Sequence, residues 1–554
     1  MNDEPNDEPT DEPIARSEWA AVLACCAAAS IAAIVWSWRS GAMLNYGDAV
    51  AHLHIARRIF DSHRPGLTQL GSVWLPLPHL LQVPFVAVYA WWANGFAGAI
   101  PSALAYLAAC AGVYRLARHW LGRAESALAV AFFAVNPNLL YLQTTAMTEP
   151  LFVCEMIWAV VWLVEWSASY EGADSATHEE VSRPRNRLLW KIVVVLIAAV
   201  FTRYDGWVMA LLAWVGIGLV LARRGGLRSR TFWLASAVLL AAPIAWFVYN
   251  ATVFGDWLSF ARGPYSAKAI ELRTAAPGGP PHPGWHNPWV GLLFFIKVSE
   301  TDAAAAAWGN VLLALSVLGM AWGWLAARTR GFGWTLLLWL PVPFYAYSVA
   351  YGSVPIFIPP WWPHSWYNTR YGLELLPALA LGLGCAAHLV LALARIFKPR
   401  WAAAAVAALF ASIGLNSWQV LREHPLVYVE GTKNIAARRS YEEAIPAALR
   451  ALLAERPGGI VLMDTSAYPE IVALTGIPLR QTINESDKDF YSDALAAPAA
   501  HAAVVLAFDD DEVGRAVADH PTGLKEVARF TVPGQPTGTL YVSDTPASTS
   551  TPTR

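Results

Sequence analysis

Residues 73–93 read VWLPLPHLLQVPFVAVYAWWA, an apolar run long enough to cross a bilayer but interrupted by Pro76, Pro78 and Pro84. Whether it crosses decides the topology of everything that follows. If it spans, Arg115, Arg118, His119 and Arg123 share a face with the polar stretch before it, and every later basic loop lies outside, against the positive-inside rule. If it is re-entrant or interfacial, the basic groups at 115–123, 183–191, 223–230, Arg328 with Arg330, and 395–400 all become cytoplasmic. The prolines favour this second arrangement. Each removes a backbone donor, and irregular backbone is tolerated at membrane depth only against protein or a polar cavity.

Composition sets the frame for that choice. A chain of 554 residues that is 56% hydrophobic and only 14% charged has too little polar surface to coat a soluble globule. Stretches of roughly twenty apolar residues fall at 18–38, 97–117, 124–142, 148–168, 188–202, 206–222, 231–250, 302–326, 332–352, 371–395 and 401–421, about eleven spans in all. The fold class is therefore mainly α, a polytopic membrane helical bundle, with a change of character after 424. From 425 to 546 the patterns GIVLMDT, SAYPEIVALTG and AAVVLAFDDDEVGRAVADH alternate strand with helix and read as a soluble α/β domain. Residues 1–17, with the repeat NDEPNDEPTDEP, read as a disordered acidic cytoplasmic tail, and 547–554 as a frayed terminus. The first span lacks a basic n-region and reads as a retained anchor. All five cysteines sit in apolar segments without metal or redox spacing, which implies neither disulfides nor zinc. No nucleic-acid partner is expected.

With 73–93 not crossing, the outer face collects residues 47–80, the turn after Gln143, TRYDGW at 202–207, a loop at 251–300 containing PGGPPHPGWHNP, the segment 353–370, and the tail domain. Ionisable groups gather there and not at the midplane. Asp48 opens an amphipathic surface helix that it can cap, and His52 lies one turn on. Arg57 and Arg58 on that helix suit lipid phosphates at the interface. Glu149, in TTAMTEPLF, starts a span where the helix dipole favours an acid. Arg203 and Asp205 either pair within a tight turn or reach a substrate. Arg370 and Glu374 open the tenth span in NTRYGLELLP, where a guanidinium can hold a phosphate bidentately or snorkel to headgroups. Trp366 and Tyr367 belong to an aromatic belt whose flat faces also suit sugar rings. In the tail, Asp464 and the acids at 509–512 read as helix caps, with a divalent cation as the other use for clustered carboxylates.

Taken together, the acid at the opening of the first outer helix, TEPLF, TRYDGW, FGDWLSF at 254–260, PYSA at 264–267 and RYGLELLPALAL at 370–381 resemble the GT-C superfamily. These are integral-membrane glycosyltransferases that use lipid-phosphate sugars, and the bacterial relatives of protein O-mannosyltransferases and aminoarabinose transferases are the most similar. The resemblance spreads over 18–421 in many weak motifs. It implies a GT-C-like bundle in a bacterial inner or plasma membrane, with inverting transfer from a polyprenyl-phosphate sugar donor to a hydroxyl acceptor on the outer face. Asp48 would be the base, Glu149 a second catalytic acid, and Arg370 the phosphate partner; His52, Arg203, Asp205, Glu374, Trp366 and Tyr367 would bind substrate. Two departures bear on acceptor and metal: many members carry Asp-Glu in the first loop where Ala49 follows Asp48 here, and the second outer acid is often Asp where Glu149 stands here. No cofactor is firmly implied. A transporter or flippase of lipid-linked sugars is the alternative; it expects midplane charges on broken helices.

Overall fold

The computed structural model describes residues 14–170, 178–274, 280–326, 331–397 and 399–544. The tail at 547–554, most of that at 1–17, Arg328, Arg330 and the start of the proline-rich loop lie outside the described residues. Eight helices among those described are long and apolar enough to cross a membrane: Arg16–Ser40, Phe96–Arg118, Glu149–Ala168, Tyr204–Arg223, Arg230–Phe254, Gly309–Ala326, Thr369–Ile396 and Arg400–Ala436. The chain is an integral membrane protein.

The other expected spans are modified in ways their prolines and charges explain. Residues 124–142 form Arg123–Ala134 and Pro137–Leu142, divided where Asn136 accepts the Leu139 N–H at 3.0 Å and Pro137 takes the first helical position. Residues 332–352 form a 3-10 helix, Phe332–Trp339, followed by Pro341–Tyr351. Residues 188–202 are the apolar end of His178–Thr202, whose first half is charged. The expected span at 302–326 begins later, at Gly309, because residues 302 and 303 end a separate helix, Pro288–Ala303. The topology-deciding stretch at 73–93 becomes Leu77–Val86 and Tyr89–Ala93. A ten-residue helix rises only about 15 Å against a hydrocarbon core of roughly 30 Å, so neither piece crosses by itself.

The chain divides into two compact units. The first comprises residues 1–37, 72–78 and 101–430 and contains most of the apolar helices. Its tightest seam joins Gly309–Ala326 to Leu376–Phe397. A Cβ on Gly319 would stand 2.0 Å from the Gly382 carbonyl oxygen, and one on Gly382 would stand 2.2 Å from that of Ser316. With no water to expel between helices, such small residues permit the close backbone approach that supplies their attraction.

The second unit comprises residues 38–71, 79–100 and 431–554, so it joins parts of the first loop to the tail domain. Its sheet has the order β2-β1-β3-β5-β4, with β1 (Val461–Leu462), β2 (Thr482–Ile483) and β3 (Val504–Phe508) parallel. β5 (Gly538–Ser543) runs antiparallel to β3 and to β4 (Leu524–Phe530). The unbroken apolar run VVLAF is buried at every position of β3, as a strand covered on both faces requires. β4 is an edge strand carrying Lys525, Glu526 and Arg529, charges that discourage further strand pairing. First-loop residues bond to this domain directly: Asp61 accepts the backbone N–H groups of Leu479 and Arg480 at 3.3 Å each, and the Tyr89 hydroxyl donates to the Ala473 carbonyl at 3.0 Å.

Replacing Gly382 by Val should destabilise the detergent-solubilised protein by about 1–3 kcal/mol through overpacking. Gly414→Ala, where a Cβ meets nothing within 4 Å and Ala is the better helix former, should leave thermal unfolding unchanged or raise it slightly.

Candidate active site

Three interruptions of helix build one ionic cluster in the first unit. At TRYDGW, the helix His178–Thr202 ends and Tyr204–Arg223 begins, with only Arg203 between them in extended conformation (φ −150, ψ 155). The break needs Gly206, since a Cβ there would stand 2.2 Å from the Ala199 carbonyl oxygen. Asp205 Oδ1 accepts the Gly206 N–H at 3.0 Å, and the Trp207 indole donates to the Val200 carbonyl at 2.9 Å, so groups released by the break are bonded locally. At RYGLEL, a 3-10 helix, Thr369–Leu375, leads into Leu376–Phe397, and at TEP, Glu149 is the first residue of its helix.

Arg203 donates from Nε to Asp205 at 3.1 Å, from Nη1 to Glu149 at 3.3 Å and the Thr148 hydroxyl at 3.1 Å, and from Nη2 to the Tyr345 oxygen at 2.7 Å. Its Nη2 also lies 3.1 Å from Glu374 Oε1, to which the Tyr345 hydroxyl donates at 2.7 Å. Arg370 donates from Nε to Glu149 at 3.0 Å and from Nη1 to Glu430 at 3.3 Å. Glu430 further accepts the backbone N–H groups of Asn368 and Thr369, at 2.9 and 2.8 Å, and the Thr369 hydroxyl at 2.5 Å. Both guanidiniums lie about 5 Å from the Tyr371 ring centroid, near enough for a cation–π contribution. Four carboxylates thus share two guanidiniums, and Glu149 Oε2 and Glu374 Oε2 remain buried without a hydrogen-bond partner.

Five sequence-derived site residues, Glu149, Arg203, Asp205, Arg370 and Glu374, therefore come together. The alternative that Arg203 and Asp205 merely pair with each other is too narrow: they do pair, inside a larger network. Tyr345 and Glu430 complete it and were missed. Tyr345 looks like an ordinary aromatic in an apolar span, and Glu430 lies beyond the boundary drawn at 424. Asp302 was also missed as a buried polar group. It is fully buried, neither carboxylate oxygen has a partner, and Gly372 leaves it room, because a Cβ there would come within 2.6 Å of Oδ2. Trp366 and Tyr367 lie in the loop leading to Thr369. Tyr367, half-exposed, is fixed by a two-way backbone bridge to Phe357.

Asp48 and His52 belong to the second unit. Asp48 is not the helix cap: Gly47–Arg58 has Tyr46 at the N-cap position without a side-chain cap bond, and Asp48 sits in the first turn, where the dipole still favours an acid. A side chain on Gly47 would meet the Arg438 guanidinium at 2.6 Å. Arg438 in turn binds Glu442 at 3.0 Å and Glu470 at 2.7 Å. His52 Nδ1 lies 2.8 Å from His79 Nε2, a buried imidazole pair. Burial, with the Arg58 and Arg57 charges, holds His54 neutral by lowering its pKa to about 3. Arg57 does not reach out to lipid phosphates. It is buried, binding Asp61 at 2.8 Å and the Val86 carbonyl at 2.7 Å beneath Trp92. Among the described residues no group of three or more His, Cys, Asp or Glu side chains is arranged to hold a metal ion.

A polytopic helical bundle carrying a small α/β domain and a buried ionic cluster at its helix breaks defines the class. No family model and no curated protein matches the sequence. Among solved structures the chain resembles ArnT from Cupriavidus metallidurans bound to undecaprenyl phosphate, with a TM-score of 0.54 at 13% identity, over 96% of this chain and 99% of that one. Apo ArnT from the same organism matches with a TM-score of 0.50 at 13% identity, over 92% and 97%. The chain thus shares the ArnT fold, a polytopic helical bundle with a C-terminal α/β domain, as the sequence pattern implied.

Arg203→Met should cost about 3–5 kcal/mol in detergent thermal unfolding, because Glu149, Asp205 and Glu374 lose a shared buried counter-charge. Tyr345→Phe, which removes one donor from Glu374, should cost about 1–3 kcal/mol. A second expectation concerns Glu470, whose pKa is pushed up to about 8 by burial against the opposing pull of Arg438. Because the folded state holds that proton, its contribution is complete at acid pH, below the ordinary carboxylate range, and is lost as pH rises through 8. Hydrogen exchange across 461–543 should accelerate from pH 6 to pH 9 after correction for intrinsic rates, and Glu470→Gln should flatten the trend.

Proposed function

We propose that the protein is an inverting glycosyltransferase that moves a sugar from a polyprenyl-phosphate donor to a hydroxyl acceptor at the outer face of a bacterial inner or plasma membrane. The observation that carries this reading is a fold shared over nearly the full length with ArnT, solved with undecaprenyl phosphate, together with ionisable groups gathered at helix ends.

In the proposed reaction the acceptor hydroxyl oxygen attacks the anomeric carbon while Asp48 takes its proton. The bond from that carbon to the phosphate oxygen breaks, and polyprenyl phosphate leaves with the electron pair. Phosphate is a good leaving group, so it needs charge stabilisation more than it needs a proton. Arg370 is the partner proposed for it, competing for the guanidinium with Glu149 and Glu430, which already occupy it. Glu149 is proposed to act by setting the position and charge of Arg370 and Arg203. Glu374 and Asp205 hold Arg203 in turn, while Trp366 and Tyr367 offer aromatic faces to a sugar, and His52 supports the helix bearing Asp48 through His79.

Asp48→Asn should lower transfer by about 100-fold or more, the range for loss of a general base, while the protein remains folded in the membrane. Full activity in a folded Asp48→Asn protein would refute the base assignment. Arg370→Lys should raise the donor KM more than it lowers kcat, since an ammonium keeps the charge and loses the fork.

A further inference from the structure

The membrane helix Arg230–Phe254 stops at Gly255, whose left-handed conformation (φ 75) turns the chain aside, but the residues that follow stay against the helix end. Phe260 stacks on Tyr204 with ring centroids 5.2 Å apart and planes 18° from parallel, and Trp257 meets Phe247 edge to face at 5.4 Å. Two short helices, Ser259–Arg262 and Ala267–Thr274, are therefore held beside the end of a membrane helix, and Tyr204 places them at the same end as Arg203 and its acids.

The second of these helices, AKAIELRT, is tied to the protein through its acid. Glu271 accepts the Ser353 hydroxyl at 2.6 Å and lies 3.1 Å from His282 Nε2. Lys268, Ile270, Leu272 and Arg273 are all exposed, Leu272 by 68%, and so are Trp257 and Arg262 on the preceding turns. A single exposed leucine is unremarkable on a protein surface. Apolar side chains interleaved with cations on a short helix beside the end of a span are the pattern of an element lying in the membrane interface. The charge there is also one-sided. Glu271 is engaged as described, Asp256 Oδ1 accepts the Leu258 N–H at 2.9 Å, and among the described residues no carboxylate pairs with Arg262, Lys268 or Arg273.

We infer that residues 256–273 form a docking surface for anionic phospholipid of the surrounding membrane, with Trp257, Ile270 and Leu272 entering the apolar edge of the leaflet and Arg262, Lys268 and Arg273 binding headgroup phosphates. Cations held at an anionic lipid surface are attracted to it over about a Debye length, so three together favour lipids of net negative charge over zwitterionic ones. An acidic soluble protein would satisfy the cations but leave the apolar groups beside the span to lipid, which favours the bilayer itself as the partner. The inference needs only that the chain is an integral membrane protein and is independent of the transferase reading.

Hydrogen exchange of the full-length protein in nanodiscs, with one copy per disc and no sugar donor present, tests it. Amides of residues 259–273 should exchange about fivefold or more slowly in discs containing phosphatidylglycerol than in discs of phosphatidylcholine alone. Raising the ionic strength should remove most of that difference. The combined variant Arg262→Gln, Lys268→Gln and Arg273→Gln should exchange equally in the two lipids, whereas Lys525→Gln with Arg529→Gln, which removes cations from the β4 edge, should preserve the difference. If the triple variant does not fold, the lipid and salt comparison on the unaltered protein carries the test. Equal exchange by the unaltered protein in the two lipids, a lipid difference that survives in the folded triple variant, or the same slowing when inorganic phosphate is added to phosphatidylcholine discs would overturn the inference.

Discussion

The structure of the first unit depends on two guanidiniums kept out of water. Arg203 and Arg370 bind Glu149, Asp205, Glu374 and Glu430, and those acids come from four separate stretches of chain. Removing an ion from water costs several kcal/mol, and a buried pair recovers that only when its geometry is close to ideal and its remaining donors are bonded. Here each guanidinium serves more than one acid, and Tyr345, Thr148, Thr369 and two backbone N–H groups supply additional bonds. Such a network adds little net stability compared with an apolar core. It is specific, because a shift of any one helix end leaves a charge unpaired.

The excess of acids over guanidiniums also constrains the chemistry. In the proposed reaction an incoming phosphate would meet arginines already engaged, so anion binding at Arg370 would trade against Glu149 and Glu430. Arg370 and Glu149 meanwhile tie the 3-10 helix Thr369–Leu375 to the start of the helix Glu149–Ala168. The same helix breaks that produce the cluster use glycines to let backbones approach, Gly206 against Ala199 and Gly372 against Val298 and Ser299, so packing and electrostatics are set by the same few turns.

Much of the fold was legible because hydrophobic length and basic-loop bias are strong signals in a membrane chain. The break of residues 73–93 into two short helices could be read from three prolines, and the α/β tail from VVLAF beside turn residues. The breaks at Asn136 and Leu340 were harder, since apolar composition runs straight through them and only Pro137 and Pro341 mark the stops. Within the cluster, ionisable side chains stood out against an apolar background, which made Glu149, Arg203, Asp205, Arg370 and Glu374 visible. Tyr345 did not stand out, because a phenol in an apolar span carries no such signal. Arg57 misled for a related reason: an amphipathic pattern cannot tell a lipid surface from a protein surface, and here the α/β domain shares a compact unit with that helix.

Whether this cluster serves bond chemistry or passage is most directly measured in proteoliposomes containing the purified protein, a radiolabelled polyprenyl-phosphate sugar and candidate hydroxyl acceptors. Donor consumption with release of polyprenyl phosphate and appearance of an inverted glycoside is the expected result. Movement of intact donor across the bilayer, with no glycosidic bond broken or formed, would contradict it.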